Sequence, residues 1–158
     1  MKRRARLATL VYGVAAAAYL VDRISKWLVE SRLARRPPLE LIPGVLQLNY
    51  TQNSGGAFGL GGSASWLFAG ATIAVSVAIL LLSTRVHRTA VAVGMGLVLG
   101  GGLGNLTDRI IRGDGFFSGR VVDFIDLRVW PVFNVADACI VVGALIIVFA
   151  SARRSDRS

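Results

Sequence analysis

The chain has 158 residues, a length that points to one domain. Hydrophobic residues make up 54% of it and mean hydropathy is +0.59, above the roughly 45–50% apolar content usual in soluble domains. The net charge is +9, but the basic residues flank long apolar runs, with no recognition-helix pattern and no aromatic and basic interleaving, so nucleic-acid binding gives way to basic anchors at a membrane surface.

Four runs approach the roughly 20 apolar residues that a spanning helix needs. The first, 7–25 ("LATLVYGVAAAAYLVDRIS"), follows "MKRRAR" and so has the outline of a secretory signal. No clear cleavage point precedes Asp22, and the later spans need a partner, so it reads as a retained first span. Residues 30–65 carry a basic, Pro-bearing stretch, "RLARRPPLELIPG", and then "VLQLNYT", whose alternation predicts a strand. "NSGGAFGLGGS" reads as loop or tight turns, without a Walker or dinucleotide pattern.

The second span, 66–83, is the cleanest, and the short "TRVHR" turn leads into the third, 89–109. There Gly96, Gly100 and Gly104 form a stripe spaced by four, which permits close helix packing. Residues 110–131 hold "GDGFFSG", a turn containing Asp114, and "RVVDFIDLRVW", apolar enough to lie at the membrane surface. The fourth span, 132–152, carries Asn134 and Asp137 near its start. Cys139 reads as a small buried hydrophobe. His87, the only histidine, falls in a solvated turn. Nucleophile systems built on Ser–His or Cys–His pairs are therefore disfavoured.

Flanking Lys and Arg set orientation. "MKRRAR", "TRVHR" and "ARRSDR" would be cytoplasmic with the N-terminus inside, although Arg32, Arg35, Arg36, Arg112, Arg120 and Arg128 make the bias moderate. Whatever the orientation, consecutive spans alternate direction. The end of span 1 (Asp22, Arg23, Lys26), "TQNSGGAFG", the end of span 3 (Asn105, Asp108, Arg109) and the start of span 4 (Asn134, Asp137) therefore share one face. Asp22 and Lys26 are four apart and can pair. Asn105 with Asp108, and Asn134 with Asp137, are three apart and face one way.

An acid near the bilayer centre costs roughly 3 kcal/mol or more, so each one needs a reason. Asp22 has Lys26, Asp108 has Arg109 beside it as a loop-anchoring pair, and Asp126 has Arg128 and reads as solvated. Asp137 has apolar flanks and no basic neighbour in sequence, which makes it the strongest functional candidate; Asp123 stands between these extremes. Two chemistries suit such a set. Paired carboxylates can share a proton, one activating water while the other supports a carbonyl oxygen. Alternatively, carboxylates and amides can hold Mg²⁺. A metal-dependent lipid-headgroup enzyme would need a run of Asp along one helix, which is missing. An ion-coupled transporter subunit would place acids at mid-bilayer or on both sides.

"DRISK" (22–26), "NSGGAFG" (53–59), "GGLGNLTDR" (101–109), "VVDF" (121–124) and "FNVADACI" (133–140) occur in order on four spans. Together they make the chain resemble the lipoprotein signal peptidase (signal peptidase II) family along nearly its whole length. The resemblance implies an all-α membrane protein: a four-transmembrane-helix bundle with a small extracytoplasmic β element and a surface helix. It implies an aspartyl endopeptidase that removes the signal peptide from diacylglyceryl-modified prolipoproteins before the lipidated Cys. The catalytic acids would be Asp123 and Asp137. Asn53, Gly55, Asn105, Arg109 and Asn134 would line the site, with Asp22, Lys26 and Asp108 as structural support. No metal or cofactor is implied. Lipidated prolipoproteins and membrane lipids are the expected partners and a monomer the expected state. The expected place is the bacterial plasma membrane, with both termini cytoplasmic and the site facing the extracytoplasmic side.

Overall fold

A computed structural model describes residues 2–54, 65–113 and 117–152. In chain order these form α1 (Lys2–Leu33), β1 (Leu39–Ile42), β2 (Leu46–Asn53), α2 (Ser65–Ser83), α3 (Thr89–Ile111), β3 (Val121–Asp126) and α4 (Val135–Ala152). All four helices are long and apolar enough to cross a membrane. The implied surface helix is not among the described residues.

The first helix is longer than the apolar run predicted. Its 32 residues span about 48 Å, well beyond a hydrocarbon core of about 30 Å. The buried stripe explains why. Leu7, Val11, Ala15, Ala18, Asp22, Lys26 and Val29 recur every three or four residues, so one face continues without a break from apolar to charged. The helix stops short of Pro37 and Pro38, which lack the N–H that would extend it.

Glycines let α3 sit at the centre. A Cβ at Gly96 would lie 2.7 Å from the Val11 carbonyl oxygen, and one at Gly104 would collide with the Asp22 carboxylate, so the predicted stripe seats α1. On other sides Gly94 meets the backbone of Gly143, Gly101 meets the Ala136 carbonyl, and Gly102 meets Thr72. Three neighbours thus pack on one small-residue helix. The outward faces carry exposed Leu, Val and Ile, as expected where lipid replaces water.

The strands form one antiparallel sheet in the order β1-β2-β3. Pro43 and Gly44 turn β1 into β2; Gly44 has φ +71° and Val45 N–H donates to the Ile42 carbonyl at 3.0 Å, the type II pattern. "VLQLNYT" is a strand as predicted, but Gln47 is its buried residue. "RVVDFIDLRVW" contains a strand that its sequence did not signal. It supplies β3, which pairs with β2 from Asn53↔Val121 to Gln47↔Asp126. The sheet rests on the end of α1 through Val29, Val122 and Phe124, with Val135 of α4 alongside.

Trp27, Trp66 and Trp130, the only tryptophans, are exposed at this same end of the bundle. Tryptophan prefers the headgroup level.

Candidate active site

Asp123 enters the site from β3 and Asp137 from the first turn of α4. What joins them in space is a short backbone pairing. Phe133 N–H donates to the Ile125 carbonyl at 3.1 Å, and Ile125 N–H returns to the Phe133 carbonyl at 2.8 Å. The chain therefore doubles back after β3 and delivers Asn134 against it.

Asn134 is fully buried and serves both acids. Its Nδ2 donates to Asp123 Oδ1 at 2.6 Å. Its Oδ1 accepts from the backbone N–H of Asp137 at 2.9 Å, and the Asp137 Oδ2 accepts from the Asn134 backbone N–H at 3.2 Å. This reciprocal pair is a capping box, with Asn134 at the N-cap and Asp137 three residues on. Asn105 of α3 completes the link: its Nδ2 donates to Asp137 Oδ1 at 2.7 Å, and its Oδ1 accepts from Asn134 Nδ2 at 3.2 Å. Asn53, at the end of β2, donates to Asp123 Oδ2 at 2.9 Å. Gly55 lies outside the described residues.

Asp123 is only 3% exposed, and Asp137 is half-buried. Burial pushes the Asp123 carboxyl up to about 6; hydrogen bonds from Asn53 and Asn134 oppose this, while the Asp137 charge adds to it. Three amide side chains, Asn53, Asn105 and Asn134, thus form one connected network around the two acids.

A second network anchors the first. Lys26 and Asp22 of α1 and Asp108 of α3 are all fully buried. The Lys26 ammonium lies 2.9 Å from both Asp22 Oδ2 and Asp108 Oδ2 and donates to Asn105 Oδ1 at 2.8 Å. Asp22 Oδ1 accepts from the Ala136 N–H at 3.0 Å, which ties the start of α4 to α1. Asp108 does not pair with Arg109 as expected. Its partners are Lys26, Arg23 and Arg112, because Arg109 projects toward α2. Arg109 donates to Ser65 Oγ at 2.8 Å and stacks over Phe68 with 5.5 Å to the ring centre. It stays within electrostatic range of Asp123 and Asp137 without bonding either.

Asp126 belongs to neither network. It accepts from Gln47 Nε2 at 2.6 Å and from the Arg128 N–H at 2.8 Å, which hold its carboxyl below the usual range. Its task is to brace the turn in which Arg128 adopts φ +64°. The Arg128 side chain reaches Glu40 at 2.7 Å instead.

Several participants escaped the sequence reading. Ser65 had no signal, yet it bridges Arg109 and the Phe117 carbonyl, to which it donates at 2.8 Å. Arg112 was visible only as a flanking charge, although its spacing of four from Asp108 could have revealed the pair. It also grips Glu30 through two hydrogen bonds of 2.7 and 2.8 Å.

Fold and site together define a protein of four membrane-capable helices with a buried carboxylate and amide centre at one end of the bundle. A family model described as signal peptidase (SPase) II matches residues 14–153. The lipoprotein signal peptidase of Streptomyces coelicolor is 43% identical over 154 residues, covering 98% of this chain and 76% of that one. The protein of the same name from Syntrophomonas wolfei is 44% identical over 144 residues, covering 88% and 92%. A bacterial membrane enzyme solved by the in meso method at 2.3 Å superposes with a TM-score of 0.78 at 25% identity, covering 94% of this chain and 91% of that one. A second, solved at 1.9 Å, gives 0.75 at 26% identity. The chain belongs to the signal peptidase II family. It is a multi-pass membrane peptidase of that type, and the lipid-headgroup and transporter readings find no support.

Proposed function

We propose that Asp123 and Asp137 are the catalytic pair of an aspartic endopeptidase, cutting the signal peptide from diacylglyceryl-modified prolipoproteins. The observation that carries this reading is the shared Asn134, bonded to Asp123 through its side chain and to Asp137 through a reciprocal cap. One residue thereby holds two acids that lie far apart in the chain.

In this reading Asp123, whose carboxyl sits at about 6, carries the proton of the pair and donates it to the oxygen of the scissile carbonyl. Asp137 takes a proton from water as the water oxygen attacks the carbonyl carbon. The resulting tetrahedral diol collapses when Asp137 passes its proton to the leaving nitrogen. The hydroxyl proton returns to Asp123, and both acids regain their starting state. Asn53 and Asn105 hold the two carboxyl groups in place without adding charge.

Substrate access follows from depth. A lipidated precursor keeps its acyl chains in the bilayer, so its scissile bond emerges at the interface that the tryptophans mark. An apolar groove of about 170 Å³ between α2, α3 and α4 includes Gly102 and Ile140. Each lies three residues from Asn105 and Asp137 respectively, on the same helix faces. This groove is a path from lipid to the acids. With the N-terminus cytoplasmic, as the basic "MKRRAR" and "TRVHR" segments favour, the site faces the extracytoplasmic side of the plasma membrane.

The test is to incubate purified protein with a diacylglyceryl-modified precursor and with its unmodified counterpart. Cleavage of the first alone is the expected result. Equal cleavage of both would remove lipid recognition from the proposal, and cleavage of neither would remove the substrate.

A further inference from the structure

At the end of the bundle remote from Asp123 and Asp137, α2, α3 and α4 enclose a second groove of about 550 Å³. That volume falls within the roughly 300–1,000 Å³ of small-molecule sites. Ile79 and Leu82 of α2, Met95 of α3 and Ile147 of α4 give it apolar walls. Its rim is basic. Arg85, His87 and Arg88, all from the short connection between α2 and α3, line the mouth with exposed side chains.

Charge here is of one sign. Among the described residues, every Asp and Glu lies in the other half of the molecule, in the sheet or in the buried networks beneath it. Lys2, Arg3, Arg4 and Arg6 sit at this end too, because Leu7 packs with Val86 and Met95 in one apolar cluster. Arg88 is committed: its guanidinium donates to the Ala150 carbonyl and closes the groove between α3 and α4. The side chains of Arg85 and His87 make no hydrogen bond or ion pair among the described residues. Arg88, at the N-cap of α3, makes no side-chain capping bond, so the first turn also presents free N–H donors to an anion.

We propose that this groove seats one anionic phospholipid, its phosphate at Arg85 and His87 beside the first turn of α3 and an acyl chain along the apolar walls. A free phosphate would leave the walls unused, and a zwitterionic lipid would bring a cation into a rim that holds no acid among the described residues. The site is separate from the peptidase centre and does not rest on the substrate assigned to it.

Native mass spectrometry of the purified protein, titrated with phosphatidylglycerol, phosphatidylcholine or inorganic phosphate, tests this. Phosphatidylglycerol should be retained at least about tenfold better than phosphatidylcholine, the scale set by a few basic groups at an anionic surface. Millimolar phosphate should not displace it. R85Q/H87Q, which removes the free rim groups, and A78W, which fills the groove and leaves the rim intact, should each erase the preference while melting like the parent. Equal retention of both lipids by the parent protein overturns the proposal whatever the variants do. Displacement by phosphate reduces the site to a simple anion cluster and overturns it too. So does undiminished phosphatidylglycerol retention by either variant.

Discussion

Lys26→Met tests the buried charge network that underlies the site. Lys26 is fully buried and its ammonium contacts Asp22, Asp108 and Asn105 at 2.8–2.9 Å. Asp108 retains Arg23 and Arg112 in the variant, but Asp22 loses the one cation that pairs with it among the described residues. Breaking a buried ion pair from one side costs about 3–5 kcal/mol, chiefly because the other charge stays buried and unmatched. For a chain of this size that lowers the melting temperature by about 6 °C or more. Adding Asp22→Asn should recover part of the loss: the amide oxygen can still accept from Ala136, and no stranded charge remains. Coupling between such neighbours runs to about 0.5–3 kcal/mol. Thermal denaturation in detergent of the parent, both single variants and the double variant completes the cycle. A K26M protein within about 1 kcal/mol of the parent, or strictly additive effects, would refute the reasoning, since the penalty comes from the stranded charge.

Three further outcomes follow from the same geometry. Asp126→Asn should keep most peptidase activity, because Asp126 braces the Arg128 turn and touches neither acid; a loss as complete as that of Asp123→Asn would mean the wrong acid of "VVDFID" was chosen. The pH profile of kcat/KM should fall on its alkaline side with a midpoint near 6, where Asp123 gives up its proton. Asn53→Leu, lacking a hydrogen bond that opposes burial, should move that midpoint upward. Stability carries the same sign. The unfolded chain releases this proton near pH 4, so folding weakens as pH rises from about 4 to about 6 and is insensitive to this group beyond. Gly101→Ala would press a methyl group on the Ala136 carbonyl and Ile140. A cost of about 1–3 kcal/mol should come with lost activity, since α4 starts there, and unchanged activity would show that α4 can shift freely.

Periodicity and topology carried much of this molecule. Four apolar runs and their alternating direction were enough to gather Asp22, Asn105, Asp108, Asn134 and Asp137 at one end, because helix direction alternates whatever the side chains do. The Gly96, Gly100 and Gly104 stripe was legible as close packing. Asn134 and Asp137 were legible as one helix face. Non-local partnerships were not. That Asn134 reaches Asp123 depends on the backbone pairing of Ile125 with Phe133, a contact that no local pattern encodes. Arg109 was placed beside Asp108 because the two are adjacent in sequence, yet neighbours on a helix point about 100° apart, and Arg109 turns to Ser65 while Asp108 turns to Lys26. The strand in "VVDFID" was hidden because buried strands lack alternation, and Val121 to Phe124 are all buried.

The proposed pairing of Asp123 and Asp137 on one water is open to direct test. Purified Asp123→Asn and Asp137→Asn proteins, each shown to be folded, should be assayed on a lipidated precursor. Cleavage should vanish in both. Near-parental turnover by either one would contradict the pairing, however closely Asn134 holds the two side chains.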